Sequence, residues 1–387
     1  MGAWIPRPRT PVGLVASGVA LAVASSPVWW RLSSGVGAAA GAGIALGIGV
    51  GMVAFLSTLR ARFTHRAVPR GWAILAFGWC GLMFVALTVT LVTEPVRWAA
   101  LAAGWPADPV FAALTPLAAT ALAAWGYRSA RHPTVTRHRV VLDGLPPTFD
   151  GLRVVQLSDL HLAEAQPVDF PAAVVAAVRA LAPDLVVVTG DLVDGTVEGL
   201  ADRAQALGAL TAPLGVYFVT GNHDDYAGAD PWVAAWSAFG WRPLRNAHVV
   251  VTRPEPGAGP GAVAGFVLAG VDDADGARMG GRGADLGAAL AGRAPALPVV
   301  LLSHQPRLVE AAAAAGVALQ LSGHTHGGQI WPFSWVVGWV HRPVSGWARV
   351  GQTALYVHRG TGSWGPTLRL GAPAEIAEFT LACRAPR

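Results

Sequence analysis

Leu152-Arg153-Val154-Val155-Gln156-Leu157-Ser158-Asp159-Leu160-His161 is a short, apolar, β-rich run that ends in an acid and an imidazole. The same shape recurs down the chain. Leu185–Thr189 runs into Gly190-Asp191, and Val216–Thr220 into Gly221-Asn222-His223-Asp224. Val299–Ser303 runs into His304, and Ala318–Leu321 into Gly323-His324-Thr325-His326. A further run, Phe266–Gly270, precedes Asp272-Asp273. Alanine-rich stretches of helical character, Pro171–Leu181 and Pro306–Ala315, lie between some of these runs. Near-continuous apolar strands alternating with helices predict sheets covered on both faces. Ligands in such folds gather at the carboxyl ends of strands, which is where these polar residues fall.

Seven of them have the chemistry of metal ligands: Asp159, His161, Asp191, Asn222, His304, His324 and His326. Oxygen and imidazole nitrogen without thiolate suit manganese, iron, zinc or a similar divalent ion. Seven donors exceed what one tetrahedral ion needs and match two ions sharing a bridging carboxylate. Asp159 and His161 flank Leu160, and His324 and His326 flank Thr325. In an extended backbone each pair points to one side. The two cysteines, Cys80 and Cys383, form neither a disulfide framework nor a metal pattern.

The ordered set Asp-x-His, Gly-Asp, Gly-Asn-His-Asp, His and Gly-His-x-His resembles the calcineurin-like metallophosphoesterase superfamily. The longer strings from Gly151 to His161 and Gly323-His-Thr-His-Gly-Gly-Gln329 are similar to its bacterial membrane-associated branch. So are Tyr356-Val-His-Arg-Gly-Thr-Gly362, Arg369-Leu-Gly and Glu375-Ile. The resemblance runs from about Leu145 to Leu381. It implies a four-layer αββα sandwich. It also implies that Asp159, His161 and His326 hold one metal, that Asn222, His304 and His324 hold a second, and that Asp191 bridges them. His223 would face the scissile phosphate and bind it or protonate the leaving oxygen, with Asp194 orienting its ring.

Other polar residues are read more plainly. His65, His132, His138, His248 and His341 are expected to be packed or surface side chains. Asp272 and Asp273 are expected to hold a turn. His358 and Arg359 are either phosphate contacts or strand-end residues with local partners. The stretch Ile330–Val340 carries Trp331, Phe333, Trp335 and Trp339 with no charge. Buried core is its default reading, and the alternative is a segment that lies on a bilayer and guides an amphipathic substrate. Pro254–Gly261 reads as an exposed hairpin loop between Val249–Val251 and Phe266–Gly270.

The first third differs in kind. The chain is 53% hydrophobic and only 13% charged, and the charge deficit is concentrated there. Val12–Trp30, Val36–Leu59, Trp72–Val92 and the shorter Val110–Trp125, with Pro116, read as membrane spans. None contains Asp, Glu, Lys or Arg, which argues against a transport path. The glycine-rich second span would allow close helix approach. Arg7 and Arg9 precede the first span, Arg60, Arg62, Arg66 and Arg70 follow the second, and Arg128, Arg131, Arg137 and Arg139 follow the fourth. Only Arg31 and Arg97 lie in the intervening loops. That alternation places the amino terminus and the C-terminal domain in the cytoplasm of a multi-pass plasma-membrane protein. The first span also has the look of a signal peptide ending near Ala24-Ser25-Ser26, whose removal would leave that side unchanged.

The expected organisation is therefore a transmembrane region over 1–127, a connector over 128–144 and a catalytic domain over 145–387. Its expected function is metal-dependent hydrolysis of a phosphomonoester or phosphodiester, with lipid-linked phosphates among the candidate substrates. The alternative is a membrane sensor or scaffold with a non-catalytic domain, which the complete ligand set disfavours. The basic side is all arginine, which reflects composition bias and gives no specific sign of a nucleic-acid partner.

Overall fold

The computed structural model describes residues 11–34, 38–63, 68–255, 263–279 and 281–384. Arg7, Arg9, His65, Arg66 and residues 256–261 of the expected hairpin loop lie outside them. Two compact units emerge. The first holds four long helices together with Glu164–Gln166 and Gly365–Leu370, and the second holds two sheets.

The helices of the first unit are α1 (Pro11–Ser33), α2 (Ala38–Phe63), α3 (Arg70–Ala102) and α4 (Ala107–Arg131). Among the described residues three segments are long and apolar enough to cross a membrane: Ala39–Ala61, Arg70–Ala102 and Ala107–Arg131. The fourth span, short by sequence, is thus a helix of 25 residues. Gly51 of α2 has the Trp79 indole of α3 directly against its backbone, where a Cβ would overlap the ring. A small residue there lets the two helices approach closely. The helices run past the spans read from sequence and carry charge at their ends. Arg31 pairs with Glu94, and Arg97 lies 3.0 Å from both Glu94 and Asp108. Thr93 and Thr115 accept further hydrogen bonds from Arg31. Burying these guanidinium groups is tolerable because each is paired.

The second unit begins with β1 (Thr134–Leu142), β2 (Leu152–Leu157), α5 (Phe170–Ala180), β3 (Leu185–Thr189), α6 (Ala201–Gly208) and β4 (Val216–Val219). There follow α7 (Asn222–Ala227), α8 (Ala229–Ala238), β5 (Arg242–Pro243), β6 (Ala247–Pro254) and β7 (Val263–Gly270). The chain ends through α9 (Leu286–Leu290), β8 (Val299–Leu302), α10 (Val309–Ala314), β9 (Leu319–Ser322), α11 (Phe333–Val340), β10 (Gly346–Val350), β11 (Thr353–Val357) and β12 (Glu375–Cys383). One sheet has the order β1-β12-β2-β3-β4-β5 and the other β10-β11-β9-β8-β7-β6. Strands β2, β3 and β4 are parallel, as are β7, β8, β9 and β11. Their carboxyl ends therefore fall on a common edge of each sheet.

Three apolar clusters define four layers. Val154, Val187 and Phe379 from one sheet meet Phe266, Leu268 and Leu321 from the other. Valines of β2 and β3 that face the opposite way pack on Val174, Leu207 and Trp236 of the helices. Val267 and Leu301 pack with Ala289 and Ala312 of α9 and α10. Strands buried on both faces explain why the runs read as continuous hydrophobics. The connector read over 128–144 contains β1, an edge strand paired in parallel with β12. Val249–Val251 and Phe266–Gly270 do pair as antiparallel β6 and β7.

The buried-core reading of Ile330–Val340 holds only at Ile330. Its residues 333–340 form α11, and no residue of that helix is buried.

Phe379 is fully buried between the sheets, with the Tyr356 ring 5.1 Å away and Phe266 in the same cluster. Phe379→Ala is expected to lower unfolding free energy by about 3–5 kcal/mol, read from the denaturant midpoint.

Candidate metal centre

Each predicted ligand sits two to four residues beyond a strand. Asp159, His161, Asp191, His324 and His326 all have positive φ, between 45° and 74°. Left-handed backbone is costly for residues with a Cβ, of order 1–2 kcal/mol each, and clusters at functional sites. This corrects the expectation of an extended backbone through Asp159–His161 and His324–His326. The side chains converge because the chain coils at the strand end, and His326 opens a short 3₁₀ turn through Gly328.

Two groups result. In the first, the Nε2 atoms of His161 and His326 are 2.9 Å apart, and His326 Nε2 lies 3.3 Å from Asp159 Oδ1. In the second, His304 Nε2 is 3.2 Å from both His324 Nδ1 and Asp191 Oδ2. Asp191 Oδ2 is also 3.6 Å from His161 Nε2, so one carboxylate oxygen faces both groups. Asp159, His161 and His326 could hold one metal ion, and Asp191, His304 and His324 another.

The surrounding bonds fix which atoms point inward. His304 Nδ1 is 2.8 Å from the Thr189 carbonyl, which accepts its N–H and turns Nε2 toward Asp191 and His324. The backbone N–H of His223 donates to Asp191 Oδ1 at 2.8 Å, and that of His324 donates to Asp159. Gly221 and Gly323 allow this crowding, since a Cβ at either would overlap the Asp191 or the Asp159 carboxylate. Asn222 Oδ1 is buried with no hydrogen-bond partner. A buried acceptor left without a partner among the described residues is suited to a cation.

Electrostatics point the same way. Burial opposes ionisation of Asp159, Asp191 and Asp194, yet the surrounding imidazoles hold all three carboxyls below their ordinary range. Burial likewise disfavours the His223 imidazolium, but Asp194 and Asp191 outweigh it and push its pKa up to about 9. His324 goes the opposite way, to about 3, through burial and the neighbouring His304.

Asp194 holds two rings at once. Its Oδ1 lies 2.6 Å from His223 Nδ1 and 3.2 Å from His161 Nδ1. Only its contact to His223 is foreseen from sequence. These three residues also form a compact trio, but 2.6 Å is an N–H···O separation with no room for an ion between.

Several residues carry structure that sequence reasoning missed. Asp224 accepts the N–H groups of Leu192 and Gly221, tying the turn after Asp191 to the start of α7. Burial first, then the Asp191 charge, raises its pKa to about 8. Gln305 donates to Asp273 and Asp275, which anchors the turn next to His304. His341, expected to be a packed or surface side chain, packs its ring 5.2 Å from that of His324.

Asp272 accepts from Thr220 and Arg245, a turn role as expected. His138 and His248 have local partners in Tyr356 and the Ala289 carbonyl. Arg359 donates to Glu375 through its backbone and its guanidinium, and His358 is fully buried, accepting from the Gly360 N–H. Both therefore have the local partners of strand-end residues.

A family model described as calcineurin-like phosphoesterase matches residues 152–328. Over 266 residues the chain is 30% identical to an uncharacterised metallophosphoesterase of Aquifex aeolicus, covering 68% of this chain and 97% of that one. The chain belongs to the calcineurin-like phosphoesterase family. A Bacillus subtilis metallophosphoesterase, also uncharacterised, is 31% identical over 70% of this chain and 94% of its own length. A zebrafish protein named "transmembrane protein with metallophosphoesterase domain" is 37% identical over 67% of this chain. The match spans 60% of that relative's length. A metallophosphoesterase domain thus accompanies helices fit to cross a membrane, as in a relative named for both.

Asp194→Asn is expected to weaken divalent-metal affinity about 10–100-fold, because His161 loses the acceptor that fixes its ring. Equilibrium dialysis with manganese measures it, and an unchanged melting temperature excludes global unfolding.

Proposed function

We propose that this chain is a membrane-anchored phosphoester hydrolase working through two divalent metal ions. The observation that carries this reading is the Asp191 carboxylate, whose Oδ2 faces His304 at 3.2 Å and His161 at 3.6 Å. Asp159, His161 and His326 would hold one ion, and Asn222, His304 and His324 the other, with Asp191 shared. When bound, such a pair lowers the pKa of a bridging water and neutralises the phosphoryl oxygens.

The chain's own residues supply the rest. His223 stands at the mouth, its side chain about one-fifth exposed while Asp194 is nearly buried. Asp194 accepts a hydrogen bond from Nδ1–H and so fixes which edge of the imidazole faces outward. Nε2 is thereby free to bind the phosphate or hand a proton to the leaving oxygen, a role worth about 10²–10⁴-fold in rate. The raised pKa of His223 keeps that proton available near neutrality. Tyr226 and Trp364 flank the ring at 5.3 and 6.3 Å, so the leaving group departs along an aromatic wall.

The proposed division is a transmembrane region to residue 127, a short connector and a catalytic domain from 145. Arginine placement favours a multi-pass plasma-membrane protein with its catalytic domain in the cytoplasm. A phosphomonoester or phosphodiester is the substrate class, and the anchor favours one carried by lipid.

Purified full-length chain should hydrolyse bis-p-nitrophenyl phosphate or p-nitrophenyl phosphate with added manganese and lose activity with chelator. Asp191→Asn is expected to abolish turnover, and His223→Ala to lower it about 10²-fold or more. Turnover that persists in Asp191→Asn would contradict a shared carboxylate.

A further inference from the structure

The segment that follows the ligand motif leaves the domain surface and returns to it. Gly328 lies so close to Ser334 that a Cβ would overlap it, which seats the first turn of α11 on the His326–Gly328 turn. On the return, Thr325 Oγ1 donates to the Val344 carbonyl at 2.6 Å, and the His341 ring packs on His324. Both feet of the excursion therefore stand on the turn that carries His324 and His326.

What lies between the feet is out of place on a water-facing surface. Trp335 is 64% and Trp339 79% exposed, with Val336 and Val340 exposed beside them. An exposed apolar cluster of this kind marks an interaction site. Its chemistry selects the partner. Between Glu310 and Glu375 the chain has no acidic residue, while Arg342, at the end of the excursion, and Arg349 on β10 are exposed. Tryptophan with aliphatic residues, bordered by arginine and free of acid, matches the headgroup zone of an anionic bilayer. The same chain has three segments long and apolar enough to cross a membrane, which makes a bilayer the partner its own sequence supplies.

We propose that α11 is an interfacial helix that inserts Trp335 and Trp339 into the anionic headgroup region and brings the metal-ligand turn to lipid-borne phosphoesters. The insertion stands apart from the hydrolase reading, and the delivery of substrate rests on it. The helix is fixed to the ligand turn at both ends, so insertion holds the site at the membrane surface without a hinge.

The test uses the full chain with Cys80 and Cys383 replaced by alanine, in nanodiscs of phosphatidylglycerol and phosphatidylcholine. A nitroxide on Trp339→Cys is expected to be about five-fold less accessible to an aqueous nickel chelate than one on exposed Glu198→Cys. Equal accessibility would overturn the proposal, and spin–spin broadening between chains would assign the helix to a second copy instead. In parallel, Trp335→Glu/Trp339→Glu should lower turnover of bilayer-dissolved p-nitrophenyl hexadecyl phosphate about ten-fold and spare soluble p-nitrophenyl phosphate. Equal loss on both, or on neither, would contradict substrate delivery by α11. Failure of the unsubstituted chain on every ester would remove the hydrolase reading and delivery with it, while the nitroxide still decides insertion.

Discussion

A carboxylate taken out of water needs positive charge or donors around it, and the centre of the second unit is arranged around three of them. Asp159, Asp191 and Asp194 are all withdrawn from solvent at the strand ends, and all are held ionised by neighbouring imidazoles. Asp191 is the most constrained. One oxygen accepts the His223 amide, and the other faces ring nitrogens contributed by both sheets. An unpaired buried charge is strongly destabilising, so the edge where the sheets meet can close only if the histidines arrive together.

That requirement accounts for local features that are unfavourable in isolation. Five of the proposed ligands adopt left-handed backbone although none is glycine. Glycines stand where a Cβ would strike Asp159 or Asp191. Gln156 crosses from one sheet to the other, donating to Thr189 and to the Ser322 carbonyl just behind the site. Asp224 and Gln305 tie neighbouring turns together. Strain at the strand ends is sustained by rigid strands behind them, each buried on both faces in one apolar cluster or another.

The strands that carry the ligands were legible because burial on both faces leaves a continuous apolar run with a polar stop. β1 was not, because it is an edge strand with alternating exposure and charged residues such as Arg137 and Arg139. The proposed ligands were read from order and residue type, whereas their backbone was not, since nothing in Asp-Leu-His signals a left-handed turn. Asp194 showed one of its two contacts, because the second depends on how close His161 comes in three dimensions. The exposure of α11 was illegible for a plainer reason. An uncharged aromatic helix has the same composition whether it meets a core or a membrane.

In the proposed centre one carboxylate, that of Asp191, joins two cation positions. Titrating metal-free full-length chain with manganese and following the electron paramagnetic resonance spectrum tests it most directly. A shared carboxylate predicts two equivalents bound, the six-line signal of an isolated ion giving way to the multiline signal of an exchange-coupled pair. Asp191→Asn should remove the coupling. One equivalent, or two ions that remain magnetically independent, would contradict the shared site.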